Sequence, residues 1–160
     1  MSEPAAPWQD FAEAEPDLAA RVRARFEWTK HHVLATLRRD GAPRVSGTEV
    51  QFHGDDLTIG MMHGSVKARD LVRDGRFALH SNPGEPTMEG GDAKVSGVAH
   101  EVTDADELAG YVDAVQPPPP FHLFRCALTD VVLTSLHPDG DRLLIETWRP
   151  GEGLVVRDRR

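Results

Sequence analysis

Apolar positions along the chain change their period several times, and each change marks an element. Leu18, Val22 and Phe26 recur at i, i+4 and i+8, the spacing of one helical face. With Pro16 suited to a first helical position, the pattern predicts a helix over residues 15–28. From residue 32 to 38 the period becomes strand-like, and the run meets Asp40-Gly41, a hairpin signal. Residues 44–52 return as a second strand rich in β-branched side chains. Gly54-Asp55-Asp56 turns the chain again, and residues 57–62 form a third strand.

Gly64-Ser65 stops that strand and opens a short helix. Ser65 is a good N-cap, Ala68, Leu71 and Val72 make a buried stripe, and Gly75 stands where a C-terminal glycine belongs. Residues 77–81 and 94–102 read as the next two strands, separated by a loop rich in Gly and Pro over residues 82–92. Asp104 and Glu107 form a capping box for a helix whose apolar face is Leu108, Tyr111, Val112 and Val115. Pro117 to Pro120 end it. Residues 121–136 and 143–148 are the last strands, around a turn at 137–141. Many short antiparallel-type strands with few helices predict a mainly β protein, a barrel rather than a parallel sheet. The domain is expected over residues 15–149, with an N-terminal arm at 1–14 and a loose, charged tail at 150–160.

Composition narrows the class. A chain of 160 residues fits one domain. At that size roughly 70% of the unfolded surface is buried, so no disulfide or metal is needed for folding. The formal net charge of -8 argues against non-specific nucleic-acid binding and against an anionic membrane surface, though not against one local basic pocket. Cys126 is the single cysteine, which excludes a disulfide framework and suits a reducing compartment. The first ten residues lack the pattern of a signal peptide, and no apolar run approaches the ~20 residues of a membrane helix. A cytoplasmic protein is expected. Fifteen arginines against three lysines reflect the coding bias of a GC-rich bacterial genome and carry no functional weight.

Two segments could carry chemistry. The first, LTIGMMHGSVKARDL (residues 57–71), ends a strand, turns at glycine and places Ser65 and Lys67 at the first turn of a helix. Free N–H groups and the helix dipole attract an anion there, and lysine adds a full charge. Taken alone, the segment fits a capped helix with a solvated lysine at least as well. The second, TLRRDGAPRVSGTEV, starts a strand at Arg44 and places Ser46 and Thr48 on one face, while Gly47 would let a flat ring approach the backbone. An exposed polar sheet face is the competing reading.

In this order and spacing the two segments resemble the FMN-binding split barrel of pyridoxamine 5'-phosphate oxidases and their relatives, above all the flavin/deazaflavin oxidoreductase branch. RFALHS and GDAKVSGVAHEV resemble the two following strands, and the resemblance spans roughly residues 20–135. It implies a Greek-key antiparallel split barrel and a homodimer with a cofactor, FMN or the deazaflavin F420, in each groove between protomers. The matching cofactor-binding positions are Arg44, at the start of the cofactor strand; Val45, Ser46, Gly47 and Thr48, along the ring; Gly60, Met61 and Met62, on the next strand; and Ser65, Val66 and Lys67, at the phosphate.

The sequence also departs from the pattern. Val66 replaces a second basic residue at the phosphate, Glu49 replaces a lysine near the ring, and Asp92 falls near a glutamine that reaches the flavin from the partner chain. The arginine-rich pyridoxal-phosphate motif has no counterpart in ETWRPGEG, so vitamin B6 oxidation is not expected. The implied function is hydride transfer to or from a small planar substrate. The alternatives are a non-catalytic cofactor carrier, a haem-binding relative and a dimeric scaffold without cofactor. No catalytic residue stands out.

His31, His32, His53, His63, His80, His100, His122 and His137 show no metal-ligand spacing, and the adjacent His31 and His32 should face opposite ways on a strand. No nucleophile elbow supports a Ser–His–Asp triad. Cys126 reads as a buried filler.

Overall fold

The computed structural model of the chain describes residues 3–83 and 86–160. The chain enters through a two-residue strand, β1 (Ala6–Pro7), and a short helix, α1 (Trp8–Ala14). Trp8 and Phe11, three apart on α1, are both buried, so a segment expected to be an arm supplies part of the core. Helix α2 (Pro16–Trp28) follows the expected period, with Leu18, Val22 and Phe26 buried on one face. Strands β2 (His32–Leu37) and β3 (Pro43–Thr48) pair as the expected hairpin, from His32 against Thr48 to Leu37 against Pro43. The strand expected to continue through residue 52 breaks at Glu49 and Val50. Its remainder, β4 (Gln51–His53), pairs instead with β5 (Asp56–Met62).

Helix α3 (Val66–Arg73) is capped as expected, the Ser65 hydroxyl accepting from the Ala68 N–H. Ala68 and Leu71 are buried, but Val72 is 58% exposed, outside the stripe assigned to it. Gly75 follows the helix without a left-handed φ. A Cβ there would stand 2.5 Å from the Ala99 carbonyl, so close packing is what requires glycine.

Strands β6 (Arg76–His80) and β7 (Asp92–Glu101) pair antiparallel. Helix α4 (Ala105–Val115) uses half of its capping box. Asp104 accepts from the Glu107 N–H at 2.9 Å, while the Glu107 carboxylate turns to Arg125. On its apolar face Tyr111 is buried, but Val112 is 41% exposed.

Strand β8 (Phe121–Leu136) is the spine of the sheet. One edge pairs with β7. Its other edge takes β5, then β1, then β9 (Leu143–Arg149) in succession. One long strand shared in this way curls the sheet into a barrel without closing it in a simple ring. The tail expected to be loose turns at residues 150–152 and pairs with β9 as β10 (Gly153–Arg159). The chain is therefore a mainly β, antiparallel split barrel with four short helices.

Two apolar clusters fill it. The larger runs through the barrel from Trp8 and Phe11 to Val95, Phe124 and Leu133. The smaller, Val102, Tyr111 and Leu123, seats α4 against the start of β8. Cys126 lies in the main core, where burial pushes its thiol pKa up. Among the described residues, no helix is long and apolar enough to cross a membrane.

Candidate functional site

Among the described residues, strand β3 ends the strand path and pairs with β2 alone, so its outer edge offers backbone groups without a strand partner there. Helix α3 packs across β2 and β7, and its polar side chains reach the β2–β3 hairpin. Lys67, Asp70 and Arg73 are three apart, a spacing that keeps them on one helix face. Each meets a successive point of the hairpin. Lys67 Nζ donates to the Gly47 carbonyl at 2.6 Å. Asp70 accepts from Thr36 Oγ1 at 2.8 Å and from Arg44 Nε at 2.7 Å. Arg73 Nη2 donates to the Leu37 carbonyl at 2.6 Å and to Asp70 at 2.9 Å. This ladder is the reason Val72 faces outward: the inner face is spent on polar rungs and on Ala68 and Leu71.

At the Lys67 end of the seam opens a recess of about 490 Å³. Gly47 and Thr48 of β3, Glu49, and Gln51 of β4 form one wall. Gly60, Met61 and Met62 of β5 form another, and Tyr111, Val115, Pro117, Pro118 and Phe121 close it from the α4 side. Lys30, His31 and Lys67 bring positive or protonatable groups to its polar end. There Glu49 lies 3.5 Å from Lys30 and 3.4 Å from His31. Burial lowers the Lys67 pKa, and the Glu49 charge pulls it back up.

Six expected positions meet at this recess: Gly47, Thr48, Gly60, Met61, Met62 and Lys67. Arg44, Val45, Ser46, Ser65 and Val66 do not line it. Arg44 is drawn to Asp70, Ser65 caps α3, and Val45 and Val66 project outward, 71% and 51% exposed. The polar face expected from Ser46 and Thr48 is turned inward, and the Thr48 hydroxyl donates to the Glu49 carbonyl at 3.2 Å.

Gly60, in the recess lining, also meets a steric demand. A Cβ there would collide with the Tyr111 hydroxyl, so the glycine makes room for a tyrosine. That hydroxyl donates to Gln51 Oε1 at 3.1 Å. Burial, then the nearby Glu49 charge, pushes the Tyr111 pKa up.

Sequence reasoning missed Tyr111, Gln51, Lys30 and Asp70 as parts of this region. Tyr111 read as one position of an apolar stripe; the isolated Gly60 in a strand was the available sign that something approaches closely.

The histidines divide. His31, just before β2, is exposed, and His32, the first residue of β2, is buried, so the two do not converge. His32 is held by the Phe26 carbonyl at 2.8 Å and the Asn82 N–H at 3.1 Å, and burial lowers its pKa. His122 bonds Glu101 at 2.7 Å through Nδ1, accepts from the Gly64 N–H at 3.2 Å, and stacks on His63 with ring centres 4.7 Å apart. His137, Asp139 and Asp141 cluster at the β8–β9 turn, but Arg142 already pairs with both carboxylates.

Solved structures share this fold. A pyridoxamine 5'-phosphate oxidase-related, FMN-binding protein from Nostoc punctiforme superposes with a TM-score of 0.65 at 12% identity, covering 95% of this chain and 99% of its own. PhzG from Burkholderia lata, solved with tetrahydrophenazine-1-carboxylic acid, gives 0.60 at 18% identity, with 96% and 93% covered. A heme-binding protein from Mycobacterium smegmatis gives 0.54 at 13% identity, with 87% and 86% covered. No curated protein sequence matches the chain. Residues 18–141, more than half of the chain, match the family described as pyridoxamine 5'-phosphate oxidase, and the protein belongs to that family.

Proposed function

We propose that the recess binds a flavin-type cofactor, FMN or the deazaflavin F420, and that the protein is an oxidoreductase acting on a small planar substrate. The observation that carries this reading is Lys67. It lines the recess from the first turn of α3 and bridges to Gly47 in the recess wall, so a phosphate entering there meets a lysine. Arg44, in the same seam, adds a second cation. The rest of the recess suits an apolar ring: Met61, Met62, Val115 and Phe121 offer flat, uncharged surface. Its volume falls in the ordinary range for a small-molecule site.

A bound flavin or deazaflavin would supply the hydride chemistry, and the protein would bind, orient and exclude water. Lys67 would hold the phosphate arm. Tyr111 keeps its proton and spends it on Gln51, which fixes the recess floor rather than offering an acid. Val66 contributes no charge, and Glu49 opposes an anion, in part offset by Lys30.

The protein is further proposed to work as a homodimer. Val45, Met62 and Val66 are exposed apolar side chains on the elements that wall the recess, and a stable homodimer buries more than ~2,000 Å² of such surface.

Haem binding is the second reading. It is favoured by the exposed His63, stacked on His122 beside the α3 turn, and by a structural neighbour named as a heme-binding protein.

Visible absorption titrations with FMN, F420 and haem test both readings. Saturable binding of FMN or F420, lost in Lys67→Ala, supports the first. A haem band lost in His63→Ala supports the second. Absence of a spectral change with all three removes both. Turnover of the loaded protein with quinones, enones and tetrapyrroles then separates an enzyme from a carrier.

A further inference from the structure

We propose that Asp70 is the positioning residue of an anion anchor: it holds Arg44 by Nε so that the guanidinium presents its two Nη groups, on the helix face that also carries Lys67, to a phosphate monoester. The inference rests on the phosphate-binding reading above and assigns a role to a buried residue outside the recess lining.

Asp70 is 2% exposed, and its carboxylate is fully used. Oδ2 accepts from Thr36 and Arg44, and Oδ1 accepts from Arg73. Burying a carboxylate is costly, and well-packed apolar residues commonly serve stability as well. What the charge adds here is geometry. A guanidinium is a rigid plane with five N–H donors, so a hydrogen bond at Nε orients the whole group. Arg44 makes that bond at 2.7 Å, and its Nη1 and Nη2 bond no other described residue. Its side chain is 22% exposed, so those atoms are reachable from solvent.

Arg73 differs. Its Nη2 is already committed to the Leu37 carbonyl as well as to Asp70. Arg44 is therefore the arginine of the pair left with an open fork, the geometry that suits a phosphate. Lys67 lies on the same helix face as Asp70, and it bonds the strand that carries Arg44. Both cations thus meet the same helix face, Lys67 as part of it and Arg44 through Asp70. The set of Arg44, Asp70 and Arg73 keeps a net positive charge, so the buried carboxylate does not cancel the anchor. Burial pushes the Asp70 carboxyl up, but the bonds from Arg44, Arg73 and Thr36 prevail and hold its pKa below the ordinary value. The anchor is therefore charged throughout the neutral range.

Three probes test this: FMN, riboflavin (the same ring without the phosphate) and inorganic phosphate. Wild type should bind FMN more tightly than riboflavin. Asp70→Asn should weaken FMN by about tenfold or more and leave riboflavin within about twofold. Arg44→Lys keeps a charge but cannot bond Asp70 and a phosphate in one plane, and it should show the same selective loss. It is also the variant to use if Asp70→Asn does not fold. If the variants lower the melting temperature while the FMN to riboflavin ratio stays at its wild-type value, Asp70 is only a structural pin and the proposal is overturned. If wild type binds neither flavin, the cofactor reading fails, and the inorganic phosphate arm decides the anchor. Phosphate binding by wild type that is lost in both variants upholds it; no phosphate binding by wild type overturns it.

Discussion

At the α1 end of the barrel, Trp8, Phe11, Phe52 and Trp148 pack with neighbouring ring centres 4.8–5.1 Å apart. At the α3 seam the same sheet is met by Lys67, Asp70 and Arg73, each tied to the hairpin by one or more hydrogen bonds. The first region is held by area removed from water, which is indifferent to small rotations. The second is held by directional bonds, and its cations keep a defined place. Aromatic packing secures the barrel without fixing any polar group at a surface. The polar ladder adds little net stability per bond, yet it sets where charge stands beside an opening.

Substitutions should therefore separate the two regions. The largest effect belongs to Phe11→Ala. Phe11 is fully buried and packs against both Trp8 and Trp148. Emptying such a site costs about 3–5 kcal/mol, a large part of the stability of a domain. Urea unfolding should show that loss, while protein still folded should bind cofactor with wild-type affinity. A selective loss of affinity would mean that the two regions are coupled.

Gly60→Ala probes the boundary between them. The new methyl meets the Tyr111 hydroxyl, so tyrosine must move or β5 must shift, at about 1–3 kcal/mol. Tyr111→Phe removes the oxygen and should restore part of that loss in the double variant. Equal stability of the single and double variants would show that the clash is relieved elsewhere.

Much of this contrast was legible in the sequence, unevenly. Helices α2, α3 and α4 and the hairpin announced themselves through period, cap and turn residues, and Ser65 caps α3 as its position implies. The two ends of the chain were not legible. Trp8 and Phe11 form too short a pattern to establish a period, and β10 carries three apolar residues followed by a run of charges that also fits a loose tail. Pairing with β9, a tertiary fact, decides it. The recess was half legible. Lys67 and Gly47 were found from local motifs, and they do meet. Arg44 was found as a cation, but its attachment to Asp70 joins positions 26 residues apart, and no local pattern records that. Tyr111 was hidden because a buried tyrosine on a helix looks the same whether it fills a core or floors a recess.

Lys67→Ala sharpens the comparison from the other side. It should weaken FMN or F420 by roughly tenfold to a hundredfold, the worth of one charge-assisted hydrogen bond. The melting temperature should move little, since the one bond lost, to the Gly47 carbonyl, adds little net stability. The same group sets a pH dependence. Burial lowers the Lys67 pKa, so the charge is lost as pH rises, earlier than for an ordinary lysine. Affinity measured by fluorescence titration from neutral to alkaline pH should fall with rising pH in wild type and stay flatter in Lys67→Ala. Parallel curves would place the titrating group elsewhere.

The smallest effect is expected at Glu49, and it bears on cofactor choice. Its carboxylate lines the recess within 3.5 Å of Lys30 and 3.4 Å of His31, and it is partly exposed. Solvent and these neighbours screen it, so a unit charge acting across a few ångströms contributes about 1 kcal/mol. Glu49→Lys reverses that sign and should favour the ligand with more negative charge close to this wall. For FMN, whose phosphate arm is short, the gain should be roughly threefold to tenfold relative to F420, and it should shrink as salt is added. The ratio of the two dissociation constants, measured for both proteins at low and high salt, is the quantity to follow. A ratio that does not change at either ionic strength would mean that Glu49 stands clear of the bound cofactor, and the polar end of the recess would then serve the substrate instead.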